Sequence, residues 1–282
     1  MKNILVATDF SNNAYCALFY AAKLLAAEPC TFHILNVYNE NTPLQGKKPK
    51  LFSTKKHMEQ LGIESKEKLT STLHRIVTDD ENSKHKFEIL SKKGIISKVI
   101  AKTIDEKHID LVVMGNKGLT EAADIFFGSN TIRTVKEINE CPVLAIPGEM
   151  DFSPPKEIAF ITDFKKGCDK ETITPLLFLA SLFKASIRVM HITEEEILNN
   201  EQESHRKLLE LCLKGFDHSF HWMQAFDDKA KVIDIFLKNL KVDLYAMVNH
   251  KHNLFERLTH EPVIKDVSMY SGIPFLVLPT NE

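Results

Sequence analysis

Short runs of Val, Ile and Leu recur along the chain, and they recur in a fixed order. Ile4–Phe10 (ILVATDF) matches Ile158–Phe164 (IAFITDF), and His33–Tyr38 (HILNVY) matches Arg188–Thr193 (RVMHIT). Ile109–Gly115 (IDLVVMG) matches Val242–Val248 (VDLYAMV), and Cys141–Pro147 (CPVLAIP) matches Ile273–Pro279 (IPFLVLP). The offsets are 154, 155, 133 and 132, so the second copy is about 22 residues shorter between its second and third matched runs. Continuous apolar runs of this length fit strands buried on both faces of a parallel sheet. Lys86–Leu90 and Phe220–Ala225 read as one further strand in each copy, which makes five per copy.

Between the runs the apolar period changes from strand-like to helical. Ser11 reads as the cap of a helix whose stripe is Ala14, Leu18, Ala21, Ala22 and Leu25. In the second copy Thr174-Pro175 reads as an N-cap followed by proline at the first helical position, ahead of Leu176, Leu179, Ala180 and Phe183. Further helices are predicted over Ile95–Glu106 and Lys229–Lys238, and one in each copy after Gly128 and after Pro262. Strand and helix in alternation predict an α/β fold: two doubly wound, Rossmann-like domains, each a five-stranded parallel sheet with helices on both faces. The expected domains are 1–148 and 155–282, divided by the proline-rich Pro147–Pro155. Asn39–Gln60 is polar and irregular and reads as an exposed loop, with a lid or partner surface as the alternative.

Composition narrows the class. The 282 residues are 44% hydrophobic and 26% charged, as expected for a globular protein. A net charge of -2 gives no electrostatic case for nucleic acid. The N-terminus runs straight into a strand, without a leader pattern, and no uncharged apolar run nears the ~20 residues of a membrane span. Five cysteines without a CxxC pair suit reduced thiols and a cytoplasmic location. Nucleophilic catalysis has little support: there is no GxSxG elbow, and Cys141 precedes Pro142 at a strand start.

The sharpest local signal bridges a strand end and a helix start: Met114-Gly115-Asn-Lys-Gly118, nine residues, then Gly128-Ser129-Asn130. Glycines admit close approach of backbone N–H groups to phosphate, and a helix N-terminus offers unpaired donors with partial positive charge. Ser129 and Asn130 can add side-chain donors. Asp9 ends the first strand and would face the same crevice, where a carboxylate suits ribose hydroxyls or a divalent metal such as Mg²⁺ bridging phosphates. The same residues also fit a plain structural reading: a tight turn at Gly115 and Gly118, close helix packing at Gly128, and a turn or cap at Asp9.

Together, Ala7-Thr8-Asp9-Phe10-Ser11, Gly115-x2-Gly118-x9-Gly128-Ser129 and Cys141-Pro142-Val143-Leu144 resemble the universal stress protein family, here as a tandem pair. The resemblance implies ATP bound between the first and fourth strands. It implies that Ala7, Thr8 and Asp9 meet base and ribose and that Val37 contacts adenine. Met114, Gly115, Gly118, Gly128, Ser129 and Asn130 would hold ribose and phosphates. It also implies an internal pseudo-dimer through the strands at 143–146 and 275–278, with a further homodimer left open. A nucleotide-dependent regulatory role in stress response follows, with slow hydrolysis or a non-nucleotide interaction module as alternatives.

The second copy departs from this pattern. It keeps Asp163, but its loops read Val248-Asn-His-Lys-His-Asn253 and Thr259-His-Glu-Pro262, with no cradle glycine. It is expected not to bind ATP in the same way. His250, His252 and His260 could meet there around a metal, although solvated loop histidines are the simpler expectation. Trp222 is expected in a sheet–helix contact, and Glu194–Lys207 as a solvated helix.

Overall fold

A run of apolar residues with both faces buried must be covered by helices on both sides, and the sequence supplies them. The computed structural model describes residues 1–42, 54–116, 128–148, 150–193, 197–224, 229–249 and 272–280. The first half contains β1 (Lys2–Ala7), α1 (Asn12–Leu24), β2 (Cys30–Tyr38), α2 (Thr54–Asp80), β3 (His85–Lys93), α3 (Ile96–Lys107), β4 (Leu111–Gly115), α4 (Ser129–Glu137) and β5 (Val143–Ile146). The second contains β6 (Glu157–Thr162), α5 (Lys170–Phe183), β7 (Ser186–Thr193), α6 (Asn200–Cys212), β8 (His218–Gln224), α7 (Lys229–Asn239), β9 (Leu244–Val248) and β10 (Phe275–Leu278).

All ten strands form one sheet in the order β3-β2-β1-β4-β5-β10-β9-β6-β7-β8. Within each half the strands run parallel, and both halves share one winding order. At the centre β5 and β10 pair antiparallel, with Leu276 opposite Leu144. The two predicted five-stranded sheets are therefore one continuous sheet. Apolar side chains alternate between its faces. Ile4, Val6, Leu144, Phe160 and Leu276 join α1, α2, α5 and α6 in one core. Leu5, Val112, Ala145, Ile161 and Phe275 join α3, α4 and α7 in the other. Each core crosses the junction, so burial holds the halves together as well as the ladder does.

The repeat extends to single hydrogen bonds. Asp110 accepts from the Asn3 N–H at 2.7 Å, and Asp243, its counterpart, accepts from the Lys156 and Glu157 N–H groups at 2.7 and 3.0 Å. Ser11 caps α1 as predicted, accepting from the Ala14 N–H at 3.1 Å.

Two expectations are corrected. First, α5 starts at Lys170, capped by Asp169, which accepts from the Thr172 N–H at 2.8 Å. Pro175 thus lies inside the helix, where it removes one backbone donor without ending it. Second, Asn39–Gln60 is not irregular throughout: α2 begins at Thr54. The rest of that segment from 43 to 53 lies outside the described residues. The α2 helix spans 27 residues against 13 in α6, its counterpart, which accounts for much of the length difference between the copies. The helix predicted after Pro262 lies outside the described residues.

Candidate functional site

The backbone winds outward through β1, β2 and β3, then returns to place β4 on the other side of β1. The carboxyl ends of β1 and β4 therefore mark the switch point, where the two directions of winding leave a crevice. Ala7, Thr8 and Asp9 stand at one lip. The Phe10 N–H donates to Thr8 Oγ1 at 3.0 Å and the Ser11 N–H donates to Asp9 Oδ1 at 3.0 Å. These bonds hold Phe10 at φ 67°, a left-handed conformation that costs a non-glycine residue about 1 kcal/mol. The strain turns the backbone sharply into α1 and leaves Asp9 exposed at the crevice.

A buried polar network fixes the same lip from behind. Asn36 Nδ2 donates to the Thr8 carbonyl at 2.7 Å, and Ser65 Oγ donates to Asn36 Oδ1 at 2.8 Å. Ser65 and Ser91 hydroxyls are 2.8 Å apart. The network ties β1, β2, α2 and β3 together. Nothing in the sequence singles it out, because polar residues at strand ends look like the start of a loop. Val37, the next residue on β2, is half-buried against the opposite core.

On the other lip, Met114 is buried and Gly115 ends β4. A Cβ at Gly115 would meet the carbonyl carbon and oxygen of Asn13 at 3.2 Å and the backbone nitrogen of Ala14 at 3.3 Å. This glycine lets the start of α1 dock against β4, a packing role that phosphate chemistry alone did not require. Asn116 follows, buried. Its N–H donates to the Ile146 carbonyl at 2.6 Å, and its carbonyl accepts from the Gly128 N–H at 2.5 Å. Thr131 Oγ1 donates to the Gly115 carbonyl at 3.2 Å. The start of α4 is thereby clasped to the end of β4. Gly128 precedes α4 at φ −59° and ψ 144°, angles open to any residue, so its backbone does not demand glycine. Ser129 and Asn130 are exposed on the first turn. Gly118 lies outside the described residues. Asn116 Oδ1, just past the end of β4, is buried without a hydrogen-bond partner among the described residues, and no sequence motif marks it.

The equivalent crevice in the second half keeps the turn but fills its flank differently. The Phe164 N–H donates to Thr162 Oγ1 at 3.1 Å, the Lys165 N–H donates to Asp163 Oδ1 at 3.0 Å, and Phe164 has φ 54°. His191 takes the place of Asn36, with Nδ1 3.0 Å from the Thr162 carbonyl. Trp222 takes the place of Ser91. The His191 ring stacks on Phe164 at 4.8 Å and meets the Trp222 ring edge-on at 5.2 Å. An aromatic cluster stands where the first half has hydroxyls and an amide. Trp222 is half exposed and packs on other rings, contrary to the expected sheet–helix contact. Asn249, the counterpart of Asn116, sends Nδ2 across the junction to the Val135 carbonyl at 2.7 Å. The loop from His250 to His260 lies outside the described residues. Among the described residues no three metal-ligating groups converge.

Three of the five cysteines are chemically quiet. Burial pushes the Cys141 and Cys168 thiols up to about 12 and the Cys30 thiol up to about 11. In the native protein at about pH 8 these three are expected to resist a thiol reagent that labels half-exposed Cys16. Peptide mass mapping after brief alkylation checks this; early label on Cys141 would contradict the assigned burial.

Comparison with known proteins agrees with this fold. A family model described as the universal stress protein family matches residues 1–147. A universal stress protein of Methanocaldococcus jannaschii is 32% identical over 158 residues, which span 51% of this chain and 94% of that protein. One from Synechocystis is 27% identical over 146 residues, 52% of this chain and 85% of its own. Similarity of fold reaches further. The crystal structure of a universal stress protein from Archaeoglobus fulgidus superposes with a TM-score of 0.69 at 16% identity, covering 98% of this chain and 96% of that one. Among the described residues no helix is long and apolar enough to cross a membrane.

Proposed function

Because the chain belongs to the universal stress protein family, we propose that it is a cytoplasmic, ATP-binding regulator of stress response in which only the first half holds nucleotide. The observation that supports this reading is the clasp between β4 and α4, which holds the start of α4 at the carboxyl end of β4, the strand beside β1 at the switch point. In this reading Ala7, Thr8 and Asp9 meet base and ribose, and Val37 lies along adenine. Met114, Gly115, Gly118, Gly128, Ser129 and Asn130 hold ribose and phosphates. Asn116 Oδ1 supplies an acceptor that a ligand hydroxyl or amino group would satisfy. Mg²⁺, held by Asp9 and the phosphates, would neutralise charge on the triphosphate. The functional units are residues 1–148 and 155–282, joined as an internal pseudo-dimer.

Nucleotide would act by shifting a population of conformers or partners. Asp9 is the one acidic side chain placed at this lip among the described residues, too little for efficient hydrolysis. Equilibrium dialysis of the intact protein is expected to give one ATP per molecule, and mass spectrometry of denatured, freshly purified protein is expected to release adenine nucleotide. Finding neither would overturn the reading. Phosphate release far above background, lost in Asp9→Ala, would instead favour an enzyme.

A further inference from the structure

We propose that the outer edge of β8 is a docking surface for a second copy of this chain, whose own β8 adds to it antiparallel about a two-fold axis. The ten-stranded sheet ends at β3 on one side and at β8 on the other. An edge strand presents a row of unpaired backbone groups, and charged side chains along it keep other strands off. That protection is present on β3, where Lys86, Glu88, Lys92 and Lys93 stand among nine residues. It is missing from β8, which reads His-Ser-Phe-His-Trp-Met-Gln and holds no Lys, Arg, Asp, Glu or Pro. Trp222 is 50% exposed on this strand.

The backbone fixes which residues face the edge. The Ile187 N–H donates to the Asp217 carbonyl at 2.8 Å, one residue before β8 begins. Along a strand the backbone groups of successive residues turn to opposite sides. Ser219, His221 and Met223 therefore bond toward β7, while His218, Phe220, Trp222 and Gln224 turn their N–H and C=O groups outward. Against an antiparallel copy, one register sets all four outward residues opposite one another. His218 then faces the partner's Gln224, Phe220 faces the partner's Trp222, and His221 meets its own copy on the axis. Outward residues that stand opposite exchange both of their bonds, so this register closes about eight backbone hydrogen bonds.

Side chains favour a second copy over another strand. On the α6 side, where Arg206 lies over the Phe220 ring at 5.7 Å, the register sets aromatic opposite aromatic, and such cross-strand pairs add to the ladder. The Trp222 ring already packs on Phe164 and His191, and its exposed part would leave water. On the α7 side, burial and the nearby Arg188 hold His221 below the ordinary histidine range. At neutral pH it is uncharged, so its pairing on the axis sets no like charges together. The chain also uses this mode once within itself: β5 and β10, equivalent strands of the two halves, pair antiparallel at the centre. Growth of β8 onto the β3 of another copy would bring four charged side chains into an interface that offers no counter-charge, so the assembly closes at two.

Sedimentation equilibrium of the intact, reduced protein is expected to show monomer and dimer in exchange. Trp222, the only tryptophan in the sequence, is expected to shift its emission to the blue as dimer forms. Trp222→Lys, which copies the protection on β3, is expected to weaken association at least tenfold, because the axis removes two aromatic pairs at once. Gln224→Pro, at an exposed position whose N–H points outward, is expected to weaken it as well. Lys86→Glu, on the opposite edge, is expected to leave it unchanged. His221→Cys tests the register, since residues opposite each other in a non-hydrogen-bonded antiparallel pair have Cα atoms ~4.5 Å apart. Diamide is expected to link two chains through that cysteine, as read by peptide mapping, and not through the one in Ser219→Cys. A monomer at every concentration, a dimer indifferent to Trp222→Lys or to Gln224→Pro, a dimer lost in Lys86→Glu, or cross-linking of Ser219→Cys as ready as that of His221→Cys would overturn the proposal.

Discussion

Asp80→Ala is expected to lower the unfolding free energy by about 1–3 kcal/mol, the cost of leaving a buried imidazole nitrogen without its hydrogen-bond partner. Asp80 ends α2 and His85 opens β3. Their side chains are 1% and 0% exposed, and His85 Nδ1 lies 2.6 Å from Asp80 Oδ2. The other ring nitrogen sits 3.2 Å from the Leu25 carbonyl at the end of α1. Lys23 reaches the second carboxylate oxygen at 3.5 Å. Phe32 packs its ring edge against the imidazole at 4.9 Å and stacks on Phe87 at 5.2 Å, which keeps water out. Three elements thus meet on one buried hydrogen-bonded pair. His85→Ala should cost a similar amount, because it strands Asp80 with only the half-exposed Lys23. The double variant should cost little more than the worse single one, since both changes remove the same interaction. Urea unfolding of the three variants tests this. Single costs that add in the double variant, or an Asp80→Ala midpoint near wild type, would show that the pair does not carry the junction.

That pair is invisible in the sequence, and the reason is physical. Asp79-Asp80-Glu-Asn-Ser-Lys-His85 is as polar as any surface turn. Nothing local says that the last residue of a long helix and the first of a strand fold inward under two phenylalanines. What is legible is what depends on period and order. The matched runs reveal the strands, their parallel direction and the repeat, because burial on both faces imposes an unbroken apolar run, whereas the meeting of 143–146 with 275–278 is what the family resemblance implies. Ser11 is legible as a cap because its chemistry is local. Asp169 is masked as a cap because Thr174-Pro175, a better-known start signal, lies just beyond it. At the candidate site the sequence points to Asp9 and the glycines. It does not separate the jobs of those glycines, which depend on what packs against each one. Nor does it mark Asn36, Ser65 and Asn116, whose roles arise only when distant strand ends come together.

The glycines provide the second large effect. Gly128→Glu is expected to abolish ATP binding while sparing the fold. Gly128 is buried at the mouth, directly before α4, with backbone angles that glutamate also adopts. A carboxylate at a helix N-terminus interacts well with the helix dipole, which offsets part of the cost of placing it at a buried position, so the stability cost should stay within about 1–3 kcal/mol. Against a bound triphosphate the same charge repels: one pair of unit charges at ~4 Å is worth about 4 kcal/mol at an effective dielectric constant of 20. That is roughly a thousandfold in Kd. Gly115→Ala should behave in the opposite way. Its new methyl group meets the backbone of Asn13 and Ala14, which cannot move without shifting the start of α1. It should cost about 1–3 kcal/mol of stability, and binding should fall only as far as Asp9 and Ser11 move with the helix. Calorimetric titration with ATP beside urea unfolding separates the two. If Gly128→Glu binds ATP like wild type while its unfolding midpoint is unchanged, the phosphates lie elsewhere and the clasp between β4 and α4 is purely structural.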